Sequence, residues 1–350
     1  MTPFFIDWQP SVEAFSIGSF SIRWYSLLWC LGFIVTYLIV QRLYKQQKIA
    51  DEKFDPLFFY CFLGVLIGAR LGHCLFYEPQ YYLTSVTGFI EMLIPARLMP
   101  DGTWKLTGYE GLASHGGTIG LILGMVLYCR KTQMKPWVVL DNVAISVPSM
   151  ACLIRLGNLM NSEIVGKPTD VPWAFIFHSH ESLIDGIAVP RHPAQLYEAL
   201  AYLVIFACGV IIYRHWRKTQ AMAPHTPIAV GTGFYFGYCL ATIFTFRFFV
   251  EFLKKEQVDF EQSMPLDMGQ LLSLPFVLLG VWCMTNAKKK AKTQTDMNIA
   301  SSERYKHYHK YYETVVDRIK NYDFGDDTVK SAIISYIGGY KKRKAQIESI

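Results

Sequence analysis

The chain has 350 residues, of which 52% are hydrophobic and only 18% are charged. Soluble domains carry about 25% charged residues, so an ordinary soluble globular protein is excluded as the first interpretation. The formal net charge of +6 belongs to the end of the chain, because residues 287–350 hold 14 Lys and Arg against 8 Asp and Glu. The remaining body is electrically balanced, so no nucleic-acid partner is expected.

Seven apolar blocks of about twenty residues follow one another along the chain, and segments of this length span the roughly 30 Å hydrocarbon core of a bilayer. They are Phe20–Val40, Pro56–Tyr77, Gly111–Cys129, Val138–Leu156, Gln195–Tyr213, Ile228–Leu253 and Met268–Asn286. The pattern predicts an all-α polytopic membrane protein with seven transmembrane helices.

Basic residues are concentrated after every second block, starting with the first. They are Arg42, Lys45, Lys48 and Lys53, then Arg130, Lys131 and Lys135, then Arg214, Arg217 and Lys218, then Lys288, Lys289, Lys290 and Lys292. The intervening loops mix charges or lean acidic. The positive-inside rule therefore predicts an N-terminus outside and a C-terminus in the cytoplasm. No cleavable signal peptide is expected, since Asp7 and Glu13 precede the first basic residue, Arg23.

Two parts are predicted: a seven-helix membrane body over residues 1–286 and a basic, tyrosine-rich cytoplasmic tail over residues 287–350. The tail either lies on anionic lipid or forms a solvated extension, with a helix in "YKHYHKYYETVVDRIKNY". Two predicted outer loops, Glu78–Glu110 and Gly157–Arg191, are long enough to carry function. The eight cysteines include no Cys-x-x-Cys pair, so neither a zinc site nor a disulfide framework is expected.

The fourth block ends in the polar stretch "RLGNLMNSEIVGKP", which begins at Arg155. An ionisable residue in a membrane helix costs about 2.5–3.5 kcal/mol on insertion scales, so such residues usually mark function. Arg155, Asn158 and Asn161 fall on one helix face at spacings of three, and Glu163 follows. A snorkelling arginine alone does not account for the two asparagines.

Further polar residues fall at the same predicted depth. Arg247 and Glu251 are spaced to pair, either as a structural link or with arginine donors left for a second anion. His115 is either a packed histidine or a site residue, and Gly116 beside it allows a helix or a ligand to approach closely. The others are Tyr25, Arg70, His73, Arg191, His192 and Glu198.

This convergence of arginines, histidines, asparagines and glutamates at the outer interface fits a phosphate, and hence an anionic phospholipid of the outer leaflet. His115 is the preferred base for activating a nucleophile, and His192 is the second candidate. Three alternatives stay open: a lipid headgroup hydrolase, a transporter or flippase, and a structural assembly subunit.

Several segments together resemble the prolipoprotein diacylglyceryl transferase family over about residues 5–286. They are "RWY" (23–25), "SHGGTIG" (114–120), "RLGNLMNSEIVG" (155–166), "RHPAQLYE" (191–198), "FRFFVEF" (246–252) and "MGQLLSLP" (268–275). The resemblance implies a multi-pass enzyme of the bacterial cytoplasmic (inner) membrane whose active site faces the outer leaflet. It implies transfer of the diacylglyceryl group of phosphatidylglycerol to the lipobox cysteine of a prolipoprotein signal peptide, with release of glycerol 1-phosphate and no cofactor.

The matching positions imply a set of site residues. The expected catalytic residues are His115, Arg155, Arg247 and Tyr25; the expected substrate-binding residues are Arg155, Asn158, Asn161, Glu163, Gly166, Gly116, Glu251 and His192. Ile243 departs from the family, which often has a tyrosine four residues before the sixth-helix arginine. Ser114 stands where many members have an aromatic residue, and the tail exceeds the family core.

Overall fold

The protein is described from a computed structural model. The described residues are 5–17, 20–94, 96–99, 101–106, 113–219, 226–255 and 266–287, with the single positions 289, 314 and 317. The chain divides into two units, Met1–Lys290 and Ala291–Ile350. The helix predicted in the tyrosine-rich tail lies outside the described ranges.

Long helices account for most of the described residues. In chain order the helices are α1 (Trp24–Gln46), α2 (Asp51–Phe76), α3 (Pro79–Tyr82), α4 (Val86–Leu93), α5 (Ser114–Thr132), α6 (Pro136–Met160), α7 (Ala194–Thr219), α8 (Phe234–Glu251) and α9 (Met268–Ala287). Each predicted apolar block overlaps one long helix. Five of them, α1, α2, α6, α7 and α9, are long and apolar enough to cross a membrane. The protein is therefore mostly helical, as a polytopic membrane protein should be.

Large apolar side chains are exposed along these helices, as at Ile34, Phe59, Ile122, Ile211 and Leu278. Soluble monomers rarely expose contiguous apolar surface on this scale. Such surface is stable when hydrocarbon surrounds it, so the outer faces of the helices agree with the membrane assignment.

The prediction of an all-α chain was wrong in the connecting segments. Short strands lie at β1 (Ile6–Trp8), β2 (Glu13–Ile17), β3 (Phe20–Arg23), β4 (Ala96–Leu98), β5 (Trp104–Leu106), β6 (Phe175–Phe177) and β7 (Pro190–Arg191). β1 pairs parallel to β6, and β6 pairs antiparallel to β7. The other strands form the hairpins β2–β3 and β4–β5. Strands this short carry too few alternating residues to be recognised from sequence.

Backbone contact between α2 and α5 depends on glycines at every fourth position of both helices. They are Gly64, Gly68 and Gly72 on α2, and Gly116, Gly120 and Gly124 on α5. A Cβ built on Gly120 would lie 1.9 Å from the carbonyl oxygen of Gly64, and one on Gly116 would lie 2.2 Å from that of Gly68. Only glycine therefore permits this approach, as in other close membrane-helix pairs.

α6 packs against α1, α7 and α8 and carries a buried carboxylate that fixes the start of α8. Asp141 accepts backbone N–H bonds from Gly231 at 2.8 Å, Gly233 at 3.0 Å and Phe236 at 3.0 Å. The predicted block started at Ile228, but α8 begins at Phe234. Gly231 and Gly233 have φ of 93° and 86°, a left-handed backbone that precludes helix there.

Candidate functional site

A buried ionic cluster joins the ends of α6, α7 and α8, and Glu198 lies at its centre. Glu198 is fully buried, and its Oε1 lies 3.2 Å from Nη2 of Arg155 on α6. The Tyr202 hydroxyl donates to the same oxygen at 3.1 Å. Oε2 lies 3.3 Å from Nζ of Lys254, which also donates to Oε2 of Glu251 at 3.1 Å. We call these five side chains the Glu198 cluster.

Backbone pairing between two loops places Lys254 next to Glu198. The segment that follows α8 runs antiparallel to the segment that follows α6, with Gly166 opposite Lys254. The Lys167 N–H donates to the Leu253 carbonyl at 2.7 Å, and the Lys255 N–H donates to the Val165 carbonyl at 3.2 Å. The lysine is 2% exposed, so the loop pairing holds an ammonium group inside the protein.

Gly166 lies where three backbone segments meet. A Cβ at this position would lie 2.4 Å from the His192 carbonyl oxygen and 2.9 Å from the Leu253 carbonyl oxygen. Its N–H donates to the His192 carbonyl at 2.9 Å. The lack of a side chain at Gly166 lets the loops before α7 and after α8 converge.

The signature asparagines bind Glu163. Asn158 donates to Oε2 of Glu163 at 3.3 Å, and the Asn161 amide donates to Oε1. The Gln195 amide at the start of α7 donates to the Glu163 carbonyl oxygen. Asn158 is buried. These bonds fold the chain back at the end of α6 and fix the polar stretch next to Arg155.

Arg247 lies one turn before Glu251 on α8 and is partly buried. The predicted pairing of Arg247 with Glu251 was wrong, because the carboxylate is bound to Lys254 instead. Among the described residues Arg247 has neither an ion-pair nor a hydrogen-bond partner. It is close enough to Tyr202 for an electrostatic interaction. Its guanidinium thus keeps donors for a further anion.

Counting Arg247 with the cluster gives three cations, Arg155, Arg247 and Lys254, against the two carboxylates of Glu198 and Glu251. The formal charges of this group therefore sum to +1, with Glu163 left out because its carboxylate contacts Asn158 and Asn161 and not the cluster. A single monoanion, such as a phosphodiester, would neutralise it, and guanidinium donors suit phosphate oxygens.

An apolar groove of about 1020 Å³ runs between α7 and α8 beside this charge. Its lining residues include Leu200, Val204, Phe246, Phe249 and Leu253. Two of the lining residues, Phe246 and Leu253, directly precede Arg247 and Lys254 in the chain. Hydrocarbon chains fit such a surface.

His192 and Arg191 lie in the segment that enters α7. His192 Nδ1 lies 3.2 Å from the Tyr197 hydroxyl, which accepts a hydrogen bond from Trp173 Nε1 at 2.8 Å. Burial lowers the pKa of His192 below its usual value, so its imidazole is neutral near pH 7. Arg191 is 1% exposed and donates to the carbonyls of Ser182 and Gly166 at 2.7 and 3.1 Å. Its role is to hold these loops.

Three more expected site residues, Tyr25, His115 and Gly116, lie on α1 and α5. The Tyr25 ring packs on Gly157, two residues after Arg155, where a Cβ would lie 3.0 Å from the ring. His115 lies in the first turn of α5, and its side chain is outside the described set. The neighbour that Gly116 admits is α2, so this glycine serves helix packing.

The contacts of Arg70 and His73 lie in the segment that follows α2. Arg70 donates to the Glu91 and Met92 carbonyls at 2.7 and 3.3 Å and lies 4.9 Å over the Tyr82 ring. His73 lies 3.5 Å from Glu78. These contacts hold the α3–α4 segment on the end of α2.

Sequence reasoning missed Lys254 and Tyr202 and underrated Glu198. A lysine just after a membrane helix is usually read as an interfacial anchor, and a tyrosine within a helix as packing. The available signal was spacing, because Glu198 and Tyr202 are four residues apart and Glu251 and Lys254 three. Among the described residues no group of three or more His, Cys, Asp or Glu could hold a metal ion.

Comparison with known proteins adds the context of relatives. A family model described as prolipoprotein diacylglyceryl transferase matches residues 12–286. A Bacteroides fragilis protein named phosphatidylglycerol–prolipoprotein diacylglyceryl transferase is 53% identical over 285 residues, covering 81% of this chain and 96% of the relative. Proteins of the same name from Porphyromonas gingivalis and Chloroherpeton thalassium are 39% identical over 302 residues and 37% over 295. These two alignments cover 83% and 84% of this chain and 98% of each relative.

Proposed function

The chain belongs to the prolipoprotein diacylglyceryl transferase family, and we propose that the Glu198 cluster with Arg247 forms the phosphate-binding end of its lipid site. The protein is a membrane enzyme that transfers the diacylglyceryl group from phosphatidylglycerol to prolipoproteins. The observation that carries the proposed site is the balance of three cations against two carboxylates in the Glu198 cluster with Arg247, near an apolar groove.

The acceptor in this proposal is the thiol of the lipobox cysteine in the signal peptide. Its sulfur attacks the carbon of the diacylglyceryl group that bears the phosphate. A C–S bond forms, and the bond between that carbon and the phosphate oxygen breaks. The electron pair leaves with glycerol 1-phosphate, and the thiol proton passes to a base. A thiol has an unperturbed pKa near 8.5, so a base must assist near neutral pH.

Each part of this reaction has candidate residues in the chain. Arg155 and Arg247 hold the phosphate, and their positive charge stabilises the charge that develops on the leaving oxygen. His115 is the proposed base, and His192, kept neutral by burial, is the second candidate. Tyr25, which packs on Gly157 of α6, is the remaining proposed catalytic residue.

The remaining residues act in support. Asn158, Asn161 and Glu163 form the polar wall next to Arg155, where a glycerol headgroup with its hydroxyls would lie. Glu251 takes part through Lys254. The diacyl chains occupy the groove between α7 and α8. This arrangement accounts for both halves of an amphipathic donor lipid.

The finer membrane placement is also proposed. α1, α2, α5, α6, α7, α8 and α9 form seven transmembrane helices with the N-terminus outside. Residues 1–286 form the membrane body in the bacterial inner membrane, with the site toward the outer leaflet, and residues 287–350 form a cytoplasmic tail. The alternating basic loops support this orientation. The signal peptide enters sideways from the bilayer, since it is itself an apolar helix.

One assay tests the proposed reaction. Purified protein in phosphatidylglycerol liposomes is incubated with a lipobox peptide, while peptide mass and released glycerol phosphate are measured together. We expect a diacylglyceryl mass gain matched by glycerol phosphate, and loss of both in Arg155→Ala. Glycerol phosphate with unmodified peptide would identify a headgroup hydrolase instead. Folded protein that yields neither product would contradict the transferase assignment.

A further inference from the structure

Lys254 contacts both carboxylates of the Glu198 cluster, although each carboxylate has an arginine within reach. Glu251 lies one turn from Arg247, the spacing at which opposite charges pair on a helix. Its Oε2 is nevertheless 3.1 Å from Lys254 Nζ, and Lys254 also lies 3.3 Å from the second oxygen of Glu198. We propose that Lys254 is a positioning residue that occupies both carboxylates and so leaves arginine donors open for the lipid phosphate. This inference rests on the proposed function of the site.

The lysine suits this task because of its chemistry and its anchoring. An ammonium group has three donors and is a compact point charge. It can therefore bind the carboxylates of Glu198 and Glu251 at the same time. Lys254 is 2% exposed and fixed by backbone pairing with the Gly166 segment. It therefore cannot relax toward solvent, and its charge stays between Glu198 and Glu251.

Removing the lysine changes where the two carboxylates find their counter-charge. Glu251 is 7% exposed and would be a buried anion without a partner. Such an anion carries a large desolvation cost, which the nearest cation relieves. The nearest candidate by helix spacing is Arg247, and Glu198 would then rely on Arg155 alone. The surplus positive charge would vanish, and Arg247 would be turned toward Glu251 while Arg155 stays on Glu198.

A direct role for Lys254 at the phosphate is the main competing explanation. Under that explanation the substrate loses an ammonium donor when Lys254 is replaced, and nothing done to Glu251 restores it. Under the positioning role, the damage comes from the carboxylate that Lys254 released. Neutralising that carboxylate should therefore repair the site. The two explanations differ in the sign of the coupling between the two positions.

The experiment is a double-mutant cycle on the full chain in liposomes, with kcat and KM for phosphatidylglycerol and thermal melting as readouts. Lys254→Met should raise KM by at least about tenfold, as loss of a charge-assisted contact to phosphate implies. Adding Glu251→Gln should recover most of that loss, because Arg247 is released. Lys254→Arg keeps the positive charge but not the compact ammonium group, so its KM should lie between those of the wild type and Lys254→Met.

The outcomes separate the possible failures. A double variant whose KM is no lower than that of Lys254→Met would overturn the positioning role. A double variant that recovers thermal stability without KM would overturn it as well, since the link would then be structural only. If Lys254→Met does not fold, the cycle is run with Lys254→Gln, which also removes the positive charge and keeps a polar side chain at the buried position. Absence of transfer in the wild type would refute the proposed function itself. A wild type that transfers, with additive effects of the substitutions at positions 254 and 251, would refute only the positioning role.

Discussion

A single methyl group on α5 should disturb the site through the contact between α2 and α5. In Gly120→Ala the new Cβ would lie 1.9 Å from the Gly64 carbonyl oxygen and 2.9 Å from the Gly68 Cα. Both neighbours are backbone, so the helices must separate by about 1 Å for the contact to become tolerable. Alanine favours helix over glycine by about 1 kcal/mol, but overpacking costs about 1–3 kcal/mol.

The functional cost should exceed the cost in stability. His115, the proposed base, lies in the first turn of α5, five residues before Gly120. A displacement of about 1 Å can lower a reaction rate by about 100-fold when the chemistry depends on orientation. We therefore expect Gly120→Ala to lower kcat by about 10–100-fold while the protein stays folded.

Gly117→Ala is the matched control on the same helix. Its Cβ would meet the Ala69 Cβ at 3.4 Å, an ordinary contact. Both variants gain the same helix propensity, so only the steric term separates them. The assay is peptide diacylglyceryl transfer in liposomes, with thermal melting measured in parallel. Equal kcat for the two variants would refute the argument that this backbone contact positions the base.

Three further predictions concern buried polar groups. Glu198→Gln should destabilise the protein by about 3–5 kcal/mol, because it leaves the partly buried Arg155 without its carboxylate partner. Tyr202→Phe should cost only about 1 kcal/mol. Equal losses of the two variants in reversible unfolding in mixed micelles would contradict this. Asp141→Ala should lower the melting temperature far more than Ser146→Ala does. The loss of Asp141 leaves three backbone N–H groups without an acceptor. The Ser146 hydroxyl donates only to a carbonyl of its own helix. Because burial lowers the pKa of His192 below 6.5, the unfolded state takes up that proton first, and the free energy of unfolding falls as the pH drops below about 6.5. His192→Gln should therefore melt with a smaller fall between about pH 7.5 and 5.5 than the wild type, and an equal fall would refute the assignment.

The long helices were predictable because their physical cause is local. About twenty apolar residues in a row must bury their backbone polar groups in helix when hydrocarbon surrounds them. The boundary of α8 was not predictable in the same way. The apolar residues from Ile228 onward continue the helical pattern. The start at Phe234 is set by a glycine turn that is hydrogen-bonded to Asp141, about 90 positions earlier in the chain.

The contacts among the candidate site residues were only partly predictable from the sequence. Asn158 and Glu163 do lie together, because they are close in the chain at the end of α6. The partner of Arg155 is Glu198, which lies 43 positions later, and no periodicity within one helix indicates such a pair. Arg70 was grouped with the site by depth alone, although its donors bind the carbonyls of the α4 segment.

The central claim is that Arg155 and Arg247 bind the phosphate of the donor lipid. The most direct measurement compares thermal stabilisation of detergent-purified protein by phosphatidylglycerol and by diacylglycerol with the same acyl chains. We expect phosphatidylglycerol to raise the melting temperature of the wild type more than diacylglycerol does, and this difference to disappear in Arg155→Gln and Arg247→Gln. Arg97→Gln, at a side chain 45% exposed in the α4–β4 segment, is the control that should retain it. A full phosphatidylglycerol effect in Arg155→Gln and Arg247→Gln would contradict the claim.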